Sequence, residues 1–499
     1  MASRREQLEA YTFARRRLVA GFLQPEPGGG SEEKAPKPFR AVLPGIVIGA
    51  LILTGFGVYG LLRPGVPPGW KNKGSLIVGR DSASRYVYLD GKLHPVLNIA
   101  SGRLLLDPGK FKVNLVPEKA INKEVRGAPL GIPTAPDRLP TAREVRKTKT
   151  WTVCERPAVT ADGQPDLTVA PQRSLFLGVA PEFGDLTGDQ AIFVQQWPAP
   201  SKPGEDPVLY IVQAGRKYQV KNDRVRAAFA LDRVRPQPVS QEWLETLAPG
   251  TEIDFPEVEG YGERSKADLD DAYRTVGTVL VAEDSERYYL VTLDGVVPVS
   301  PFVATLLRSR PDARDMVYKD RTPTAFPVAV SDLGESIRAG ALWGADKAWP
   351  ELVPQTVNRV EAPVGEGRTT LCNTYTGSYS GGVAQTRQSA WTTLPRELVP
   401  GMGAVYVEPG AGALIREVTG GADDHAGPVF LVTDSGLRYH IVNDLPEGGG
   451  TMPPGQDSEA KIRLGYKGVE PTPVPRAWTS LMPVGVRLST ADAEKPQTS

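Results

Sequence analysis

The pattern of apolar and polar residues begins with one long apolar run. Residues 41–62 read AVLPGIVIGALILTGFGVYGLL and contain no charged side chain. A helix rises about 1.5 Å per residue, so a helix over this run covers the roughly 30 Å hydrocarbon core of a bilayer. The run exceeds the apolar part of a signal peptide, and a hydrophilic segment precedes it. The sequence therefore predicts a single transmembrane helix over 41–62, rather than a core helix or a cleaved signal.

Residues 1–40 are predicted to be a cytoplasmic amphipathic helix and a linker. Ser3 and Glu6 match the capping-box pattern that starts a helix, and apolar residues follow at spacings of three or four. Three arginines flank that apolar stripe, which favours either anionic lipid headgroups or a cytoplasmic protein partner as its contact. Residues 25–38 are rich in proline and glycine and are typical of a flexible linker. The stripe residues are Leu8, Tyr11, Ala14, Leu18 and Phe22, and the arginines are Arg15, Arg16 and Arg17.

Charge asymmetry predicts the orientation of the span. Eight basic side chains precede it, whereas the residues just after it carry few. Cytoplasmic flanks of membrane helices carry the excess of Lys and Arg, so we expect the N-terminus in the cytoplasm and the bulk of the chain outside.

The region after the span repeats itself. GSLIVGRDSASRY (74–86) aligns with GTVLVAEDSERYY (277–289), and PVLYIVQAGRKYQVKND (207–223) aligns with PVFLVTDSGLRYHIVND (428–444). In each segment a β-branched run is followed by a polar turn and a second run with a tyrosine, which indicates a β-hairpin. Two long inserts separate the units, each with one cysteine, in WTVC (151–154) and TTLC (369–372). The inserts end in similar runs, AIFVQQ (191–196) and AVYVEP (404–409), and we predict a strand at each.

This duplication predicts an exported region with pseudo-twofold character, in which the two inserts combine into one central core domain. Cys154 and Cys372 would meet across the axis, and outside the cytoplasm a disulfide between them persists; two unrelated buried thiols are the alternative. The predicted segments after the span are repeat 1 (74–117), the first core segment (118–206), repeat 2 (207–260), repeat 3 (277–320), the second core segment (321–427), repeat 4 (428–489) and a flexible tail (490–499). Residues 446–460 are also expected to be mobile.

Composition restricts the chemistry. Lys+Arg 58 against Asp+Glu 58 gives no net charge, so we expect no nucleic acid partner. Two cysteines and three histidines leave little material for a metal site, and we expect no cofactor and no metal. His94, His440 and the loop of Asp423, Asp424 and His425 are interpreted as structural or solvated residues. The glycine clusters at 448–450 and 410–414 are interpreted as turns.

Several motifs occur together and in a fixed order along the chain: SRREQLEAYTFARRRLVAGF at the start, the single span, GSLIVGRDSASRYVYLDGKLHPVLN, GAPLGIPTAPDRLP (127–140) and WTVC. In these motifs the chain resembles the EccB family, a membrane component of the type VII (ESX) secretion machinery of actinobacteria. The resemblance implies an α+β fold: a short cytoplasmic helix, one transmembrane helix, and an elongated extracytoplasmic region with four repeats around a disulfide-bonded core. It also implies partners, namely an EccC-like ATPase and EccD-like and EccE-like membrane subunits, together with self-association, and it places the family's core disulfide at Cys154 and Cys372.

Three functions are compatible with the sequence. The first is a structural and assembly subunit in the cell membrane, with repeats that form protein–protein contacts around an export path. The second is an extracytoplasmic nucleotide hydrolase, because ATPase activity is ascribed to the family; the chain, however, has no G-x-x-x-x-G-K-[ST] motif, and we nominate no catalytic residue. The third is a cell-wall-binding anchor.

Overall fold

The structure, a computed structural model, describes residues 3–23, 39–62, 65–199, 206–338, 340, 342–363, 365–398, 404–420, 427–442 and 456–497. The predicted linker at 25–38 and most of the predicted mobile segment at 446–460 lie outside these residues. Contacts divide the chain into two compact units. One comprises Met1–Trp70, Val78–Ala83 and Asn114–Lys123, and the other comprises Lys71–Ile77, Ser84–Val113 and Glu124–Ser499.

Two long helices open the chain, α1 (Arg4–Leu23) and α2 (Phe39–Leu62). The backbone N–H of Ser3 donates to the Glu6 carboxylate at 2.7 Å, which is one half of the predicted capping box. Within α2, the window Val42–Tyr59 is long and apolar enough to cross a membrane by length and composition. The predicted span is therefore a continuous helix.

The remaining elements are short strands and helices. Before residue 150 they are, in chain order, β1 (Ser75–Gly79), β2 (Arg85–Leu89), β3 (Lys92–Pro95), α3 (Ile99–Leu105), β4 (Lys112–Val116), α4 (Glu118–Ile121) and α5 (Ala142–Val145). From 151 to 250 they are β5 (Trp151–Arg156), β6 (Ala158–Val159), β7 (Pro165–Asp166), β8 (Gln172–Leu177), β9 (Gln190–Trp197), β10 (Leu209–Gln213), β11 (Arg216–Gln219), α6 (Asp223–Ala228), β12 (Gln237–Ser240), α7 (Gln241–Glu245) and β13 (Ala248–Pro249).

The second half continues in the same manner. From 279 to 356 it forms β14 (Val279–Ala282), β15 (Tyr288–Val291), β16 (Val296–Val299), α8 (Pro301–Arg308), α9 (Ala313–Met316), β17 (Phe326–Val328), α10 (Val330–Leu333) and β18 (Gln355–Thr356). From 370 onwards it forms β19 (Thr370–Ser380), β20 (Val383–Trp391), β21 (Val405–Val407), β22 (Ala413–Val418), β23 (Val429–Val432), β24 (Arg438–Ile441), α11 (Glu459–Arg463), β25 (Thr472–Pro475), α12 (Arg476–Thr479) and α13 (Thr490–Ala493).

Four sheets contain the same arrangement of four strands, in which the third strand lies beside the second, the second beside the first, and the first beside the fourth. These arrangements are β3-β2-β1-β4, β11-β10-β9-β12, β16-β15-β14-β17 and β24-β23-β22-β25. The second sheet has two further strands, β13 beside β11 and β18 beside β9. The first and fourth strands are parallel in the pairs β9/β12, β14/β17 and β22/β25. Parallel neighbours need a long crossover, which the second and third strands and a helix provide in these sheets.

A short capped helix follows the third strand of each of these sheets. An Asn or Ser side chain accepts a hydrogen bond from a backbone N–H of the first turn, which satisfies a donor that the helix leaves unpaired. The cap residues are Asn98 for α3, Asn222 for α6, Ser300 for α8 and Ser458 for α11.

A fifth sheet, called the cysteine sheet below, has the order β20-β19-β5-β8-β21, in which β5 and β19 are the cysteine-bearing strands. Its neighbours are antiparallel except β21, which runs parallel to β8. Trp151, Trp243 and Trp478 are buried in the core formed against this sheet. The two inserts thus combine into one sheet.

Two of the four matched hairpin segments differ in strand content from the other two. Segments 74–86 and 277–289 reach into the first and second strands of their sheets, whereas the described residues of 207–223 and 428–444 hold the second and third strands. A local alternation pattern shows that a hairpin forms but not which pair of strands it supplies.

Four strands that fall within the predicted core segments pair with these sheets. They are β9 in 118–206, and β17, β18 and β22 in 321–427. The runs at 191–196 and 404–409 both form strands, yet β9 joins the sheet of β10 while β21 joins the cysteine sheet. The two runs are therefore not equivalent.

The predicted flexible tail at 490–499 contains α13 and an ordered extension as far as residue 497. Pro496 forms a β-bridge with Leu130, and the Gln497 backbone N–H donates to the Pro129 carbonyl at 2.9 Å. Backbone pairing orders these residues although their composition is polar.

Candidate functional site

A disulfide lies at the centre of the cysteine sheet. Cys154 in β5 and Cys372 in β19 face each other in the antiparallel register, with their Cα atoms 4.0 Å apart and a sequence separation of 218. Both are buried, against Phe176 and its neighbours. The predicted bridge is present, and it links the two halves of the region after α2 covalently.

The sheet around the disulfide has local twofold character. Antiparallel strands β5 and β19 exchange places under a rotation about an axis between the two cysteines, and each has an antiparallel neighbour on its outer side, β8 and β20 respectively. The predicted meeting of the cysteines across an axis agrees with this register.

The first and fourth of the similar sheets are joined through their capped helices. Nη1 of Arg103 in α3 donates to the Leu464 carbonyl at 2.9 Å, and Nη1 of Arg463 in α11 donates to the Leu104 carbonyl at 2.8 Å. The Gln497 side chain adds a bond to the Gly131 carbonyl at 2.9 Å. Sheets far apart in sequence are therefore packed together.

The second and third sheets are joined in the corresponding way. Phe229 at the end of α6 stacks on Phe302 of α8, with ring centroids 4.7 Å apart. The duplication relates the first sheet to the third and the second to the fourth, so α3 corresponds to α8 and α6 to α11. The contact between Phe229 and Phe302 is therefore the counterpart of the contact that Arg103 and Arg463 make. The Arg310 guanidinium also donates to the Pro256 carbonyl at 2.6 Å.

Aromatic residues attach the second and fourth sheets to the cysteine sheet. The Trp243 indole N–H of α7 donates to the Val153 carbonyl, one residue from Cys154, at 3.4 Å. Tyr375 of β19 donates its hydroxyl to the Pro473 carbonyl at 2.6 Å and lies 5.8 Å from Trp478 between ring centroids. The disulfide-bonded sheet thus has one neighbouring sheet on each half.

A buried carboxyl group lies beside the disulfide. Glu155 is fully buried and accepts hydrogen bonds from the Ser240 backbone N–H at 2.7 Å and from the Ser240 hydroxyl. Ser240 also caps α7, and Arg173 lies 3.9 Å from Glu155 and 3.2 Å from Glu242. Burial raises the pKa of Glu155 to about 7, although Ser240 and the Arg173 charge favour the ionised form.

The side chain of Asn358 hydrogen-bonds the backbone of β9 between the positions at which β12 and β18 pair with that strand. Its Oδ1 accepts from the Phe193 N–H at 2.9 Å, and its Nδ2 donates to the Phe193 carbonyl at 3.0 Å. The strands β12 and β18 pair with β9 on either side of this position. The sequence analysis predicted a structural role for neither Glu155 nor Asn358. For Glu155 the only signal in the sequence was a charged residue directly after a cysteine in a predicted strand.

The remaining candidate residues are placed in ordinary structural settings. His440 of β24 lies 5.2 Å from Phe430 between ring centroids, and burial lowers its pKa. His94 hydrogen-bonds the Ala128 carbonyl at 2.8 Å. At Gly412, a Cβ atom would lie 2.5 Å from the Pro140 side chain, so close packing explains that glycine.

Some candidate residues have no described position. Asp423, Asp424, His425 and the glycines at 448–450 lie outside the described residues. Within the described ranges, no three His, Cys, Asp or Glu side chains are grouped so that they would hold a metal ion.

These features define a class of protein: a chain with one helix long and apolar enough to cross a membrane, followed by a β-rich region whose two halves are linked by a disulfide. Comparison with known proteins then identifies the family. The family model described as Type VII secretion system ESX-1, transport TM domain B, EccB, matches residues 1–497, and the chain belongs to this family.

Curated relatives agree with this assignment. The chain is 27% identical to the ESX-3 secretion system ATPase EccB3 of Mycolicibacterium smegmatis, over 98% of this chain and 90% of the relative. It is 25% identical to the ESX-5 secretion system ATPase EccB5 of Mycobacterium tuberculosis, over 98% and 93%.

Two solved structures share the fold. The EccB3 dimer from the ESX-3 core complex matches with a TM-score of 0.63 and 23% identity, covering 84% of this chain and 99% of that chain. A chain of the intact ESX-5 inner membrane complex matches with a TM-score of 0.61 and 22% identity, covering 100% and 96%.

Proposed function

We propose that this chain is a structural and assembly subunit of a type VII (ESX) secretion complex in the cell membrane. The observation that carries the proposal is the family match over residues 1–497, together with relatives of nearly equal length that are named as ESX secretion components. The geometry supports it, because the described contacts of the exported region join sheets to each other and to a disulfide-bonded centre.

The proposed architecture is four repeats around one central domain, outside the cytoplasmic membrane. The four sheets that contain the same arrangement of four strands are the repeats, and the cysteine sheet is the core domain. Strand pairing favours boundaries that give β9 and β22 to repeats 2 and 4 and β17 to repeat 3. The excess of basic residues before α2 supports a cytoplasmic N-terminus.

The proposed partners are an EccC-like ATPase, EccD-like and EccE-like membrane subunits, and a second copy of this chain. Self-association is supported by the solved EccB3 dimer, which shares this fold. Membrane subunits are supported by the intact ESX-5 inner membrane complex, which contains a chain of the same fold.

A mild-detergent purification of the tagged full-length chain from its native membranes tests the role. We expect a large complex that contains a membrane ATPase subunit, and we expect deletion of the gene to abolish export of ESX substrates. The untagged strain is the control. A chain that purifies alone, with export unchanged in the deletion strain, would contradict the proposal.

The same sample separates the two alternatives. Nucleotide hydrolysis by the purified chain without the motor subunit would favour the hydrolase that the relatives' names describe. Sedimentation of the purified chain with isolated cell wall, without other subunits, would favour the anchor.

A further inference from the structure

Helix α1 has apolar side chains that are exposed over most of their surface. Leu8, Tyr11, Leu18 and Phe22 are between 64 and 89% exposed. At about 100° per residue, these four side chains fall within an arc of about 80° on one side of the helix. An apolar stripe of this kind needs a covering surface.

The charges on α1 restrict what that surface can be. The helix RREQLEAYTFARRRLVAGFL carries five arginines and two glutamates. By the same helical geometry, Arg4 and Arg15 lie inside the arc of the apolar stripe, whereas Glu6 and Glu9 lie on the far side. An apolar protein groove over this stripe would bury two guanidinium groups and would need an acid opposite each of them.

A lipid headgroup layer meets both requirements at once. Arginine buries its methylene stem among apolar groups while its guanidinium extends to the polar layer. Phosphate oxygens accept the paired N–H groups of a guanidinium, and anionic lipids attract basic segments. The alternation of apolar residues and arginines on one face therefore matches an interfacial helix.

The position of α1 in the chain brings it within reach of such a surface. Helix α1 ends at Leu23 and α2 begins at Phe39. The intervening residues 24–38 span at most about 50 Å when fully extended. If α2 lies in a membrane, α1 is confined close to that membrane.

We propose that α1 lies on anionic lipid headgroups, with Leu8, Tyr11, Leu18 and Phe22 in the interface and Arg4 and Arg15 on lipid phosphates. This inference goes beyond the secretion role and depends only on α2 lying in a membrane. A helix held in this way would fix the linker at both ends.

Amide hydrogen exchange of the full-length chain in lipid nanodiscs tests the proposal. Most of the stability of a helix in a protein comes from packing of its apolar face, so we expect unattached α1 to exchange faster than attached α1. We expect exchange over residues 3–23 to be at least about tenfold slower in discs with about 30 mol % phosphatidylglycerol than in phosphatidylcholine discs. Raising the salt to about 0.5 M should abolish most of the difference.

Two matched variants complete the experiment. R4Q/R15Q removes the two charges that are proposed to lie on lipid phosphates and should lower the attachment equilibrium constant about 25-fold, since each basic residue near an anionic surface contributes a factor of roughly five. R233Q/R235Q removes two exposed charges from the region after α2 and should leave exchange of α1 unchanged.

Two outcomes would overturn the proposal. The first is equal exchange of α1 in both kinds of disc. The second is protection that appears in either disc only after other secretion subunits are added, which would show that a protein covers the stripe. Neither outcome bears on whether the chain is needed for export.

Discussion

Arg103 and Arg463 each donate to the carbonyl of the leucine that follows the other arginine, at 2.9 and 2.8 Å. The two arginines occupy the same place in their sheets, in or at the end of the helix after the third strand. The reciprocity makes this contact a local twofold interface between two copies of one unit. Arg463 also pairs with Glu459 of its own helix. Across the interface each arginine donates to a backbone carbonyl, so the contact depends on the helices being aligned.

Replacing these arginines should loosen this interface. We expect R103A and R463A each to lower the free energy of unfolding by about 1–3 kcal/mol, because each leaves a partly buried carbonyl without its donor. Arg103 also lies over the Phe111 ring at 4.4 Å, so its loss should be the larger. Urea unfolding of the full chain measures the effect, with the exposed Arg487→Ala as the control. Equal stability of all three variants would contradict the interface.

The disulfide should contribute strongly to the stability of the region after α2. In the chain-entropy model, closing a loop of 218 residues stabilises the folded state by about 5 kcal/mol, as an upper figure. We expect C154A/C372A to shift the urea midpoint strongly downward. Reductant without denaturant should leave wild type unchanged, because both sulfurs are buried. Rapid reduction of the native chain would show that the centre opens readily.

Glu155 should make stability depend on pH. Burial raises its pKa from 4.5 to about 7, so between these values the folded state holds a proton that the unfolded state releases. The contribution of Glu155 to the free energy of unfolding is then largest below about pH 4.5. It falls by roughly 3 kcal/mol at most as the pH rises towards 7, and it is constant above that pH.

The variant E155Q isolates this contribution. Glutamine keeps an acceptor for the Ser240 N–H and does not titrate, so we expect the difference in unfolding free energy between about pH 5 and pH 8 to shrink by roughly 2–3 kcal/mol. The control is E242Q, at a partly exposed neighbour of Arg173, which should retain most of the wild-type slope. An unchanged slope in E155Q would show that Glu155 is ionised throughout this range.

Replacing Asn358 by aspartate should lower the free energy of unfolding. In N358D the carboxylate faces the Phe193 carbonyl that the amide now donates to, in a fully buried position. We expect a loss of about 2–4 kcal/mol in unfolding free energy. Q164E is the matched amide-to-acid control at an exposed position, and it should change stability by less than about 0.5 kcal/mol. A neutral N358D would mean that other groups hydrogen-bond the Phe193 backbone.

Local patterns predicted a large share of this fold. The apolar run at 41–62, the cap at Ser3 and the hairpin segments each depend on neighbouring residues, and each forms the expected kind of element. The pairing of Cys154 with Cys372 followed from the duplication, because the two cysteines occupy equivalent inserts.

Long-range pairing could not be predicted in this way. Nothing in the run 190–197 shows that it pairs with β10 rather than with the cysteine sheet, since both sites accept a buried apolar strand. The bond of Arg103 to Leu464 and the burial of Glu155 under Ser240 depend on segments that are distant in sequence. The tail at 490–499 was predicted to be flexible from its polar composition, which does not show that its backbone partners are Pro129 and Leu130, hundreds of residues away.

The bridge between Leu130 and Pro496 has a consequence for the timing of biogenesis. The sheet that follows α2 in sequence is synthesised well before its neighbours Arg463 and Gln497. Contacts between such distant residues form slowly, because a long loop must close before they are made. This sheet therefore stays incomplete until the ribosome has passed residue 497, and a stop codon before residue 463 would leave the surface that these residues cover exposed to solvent.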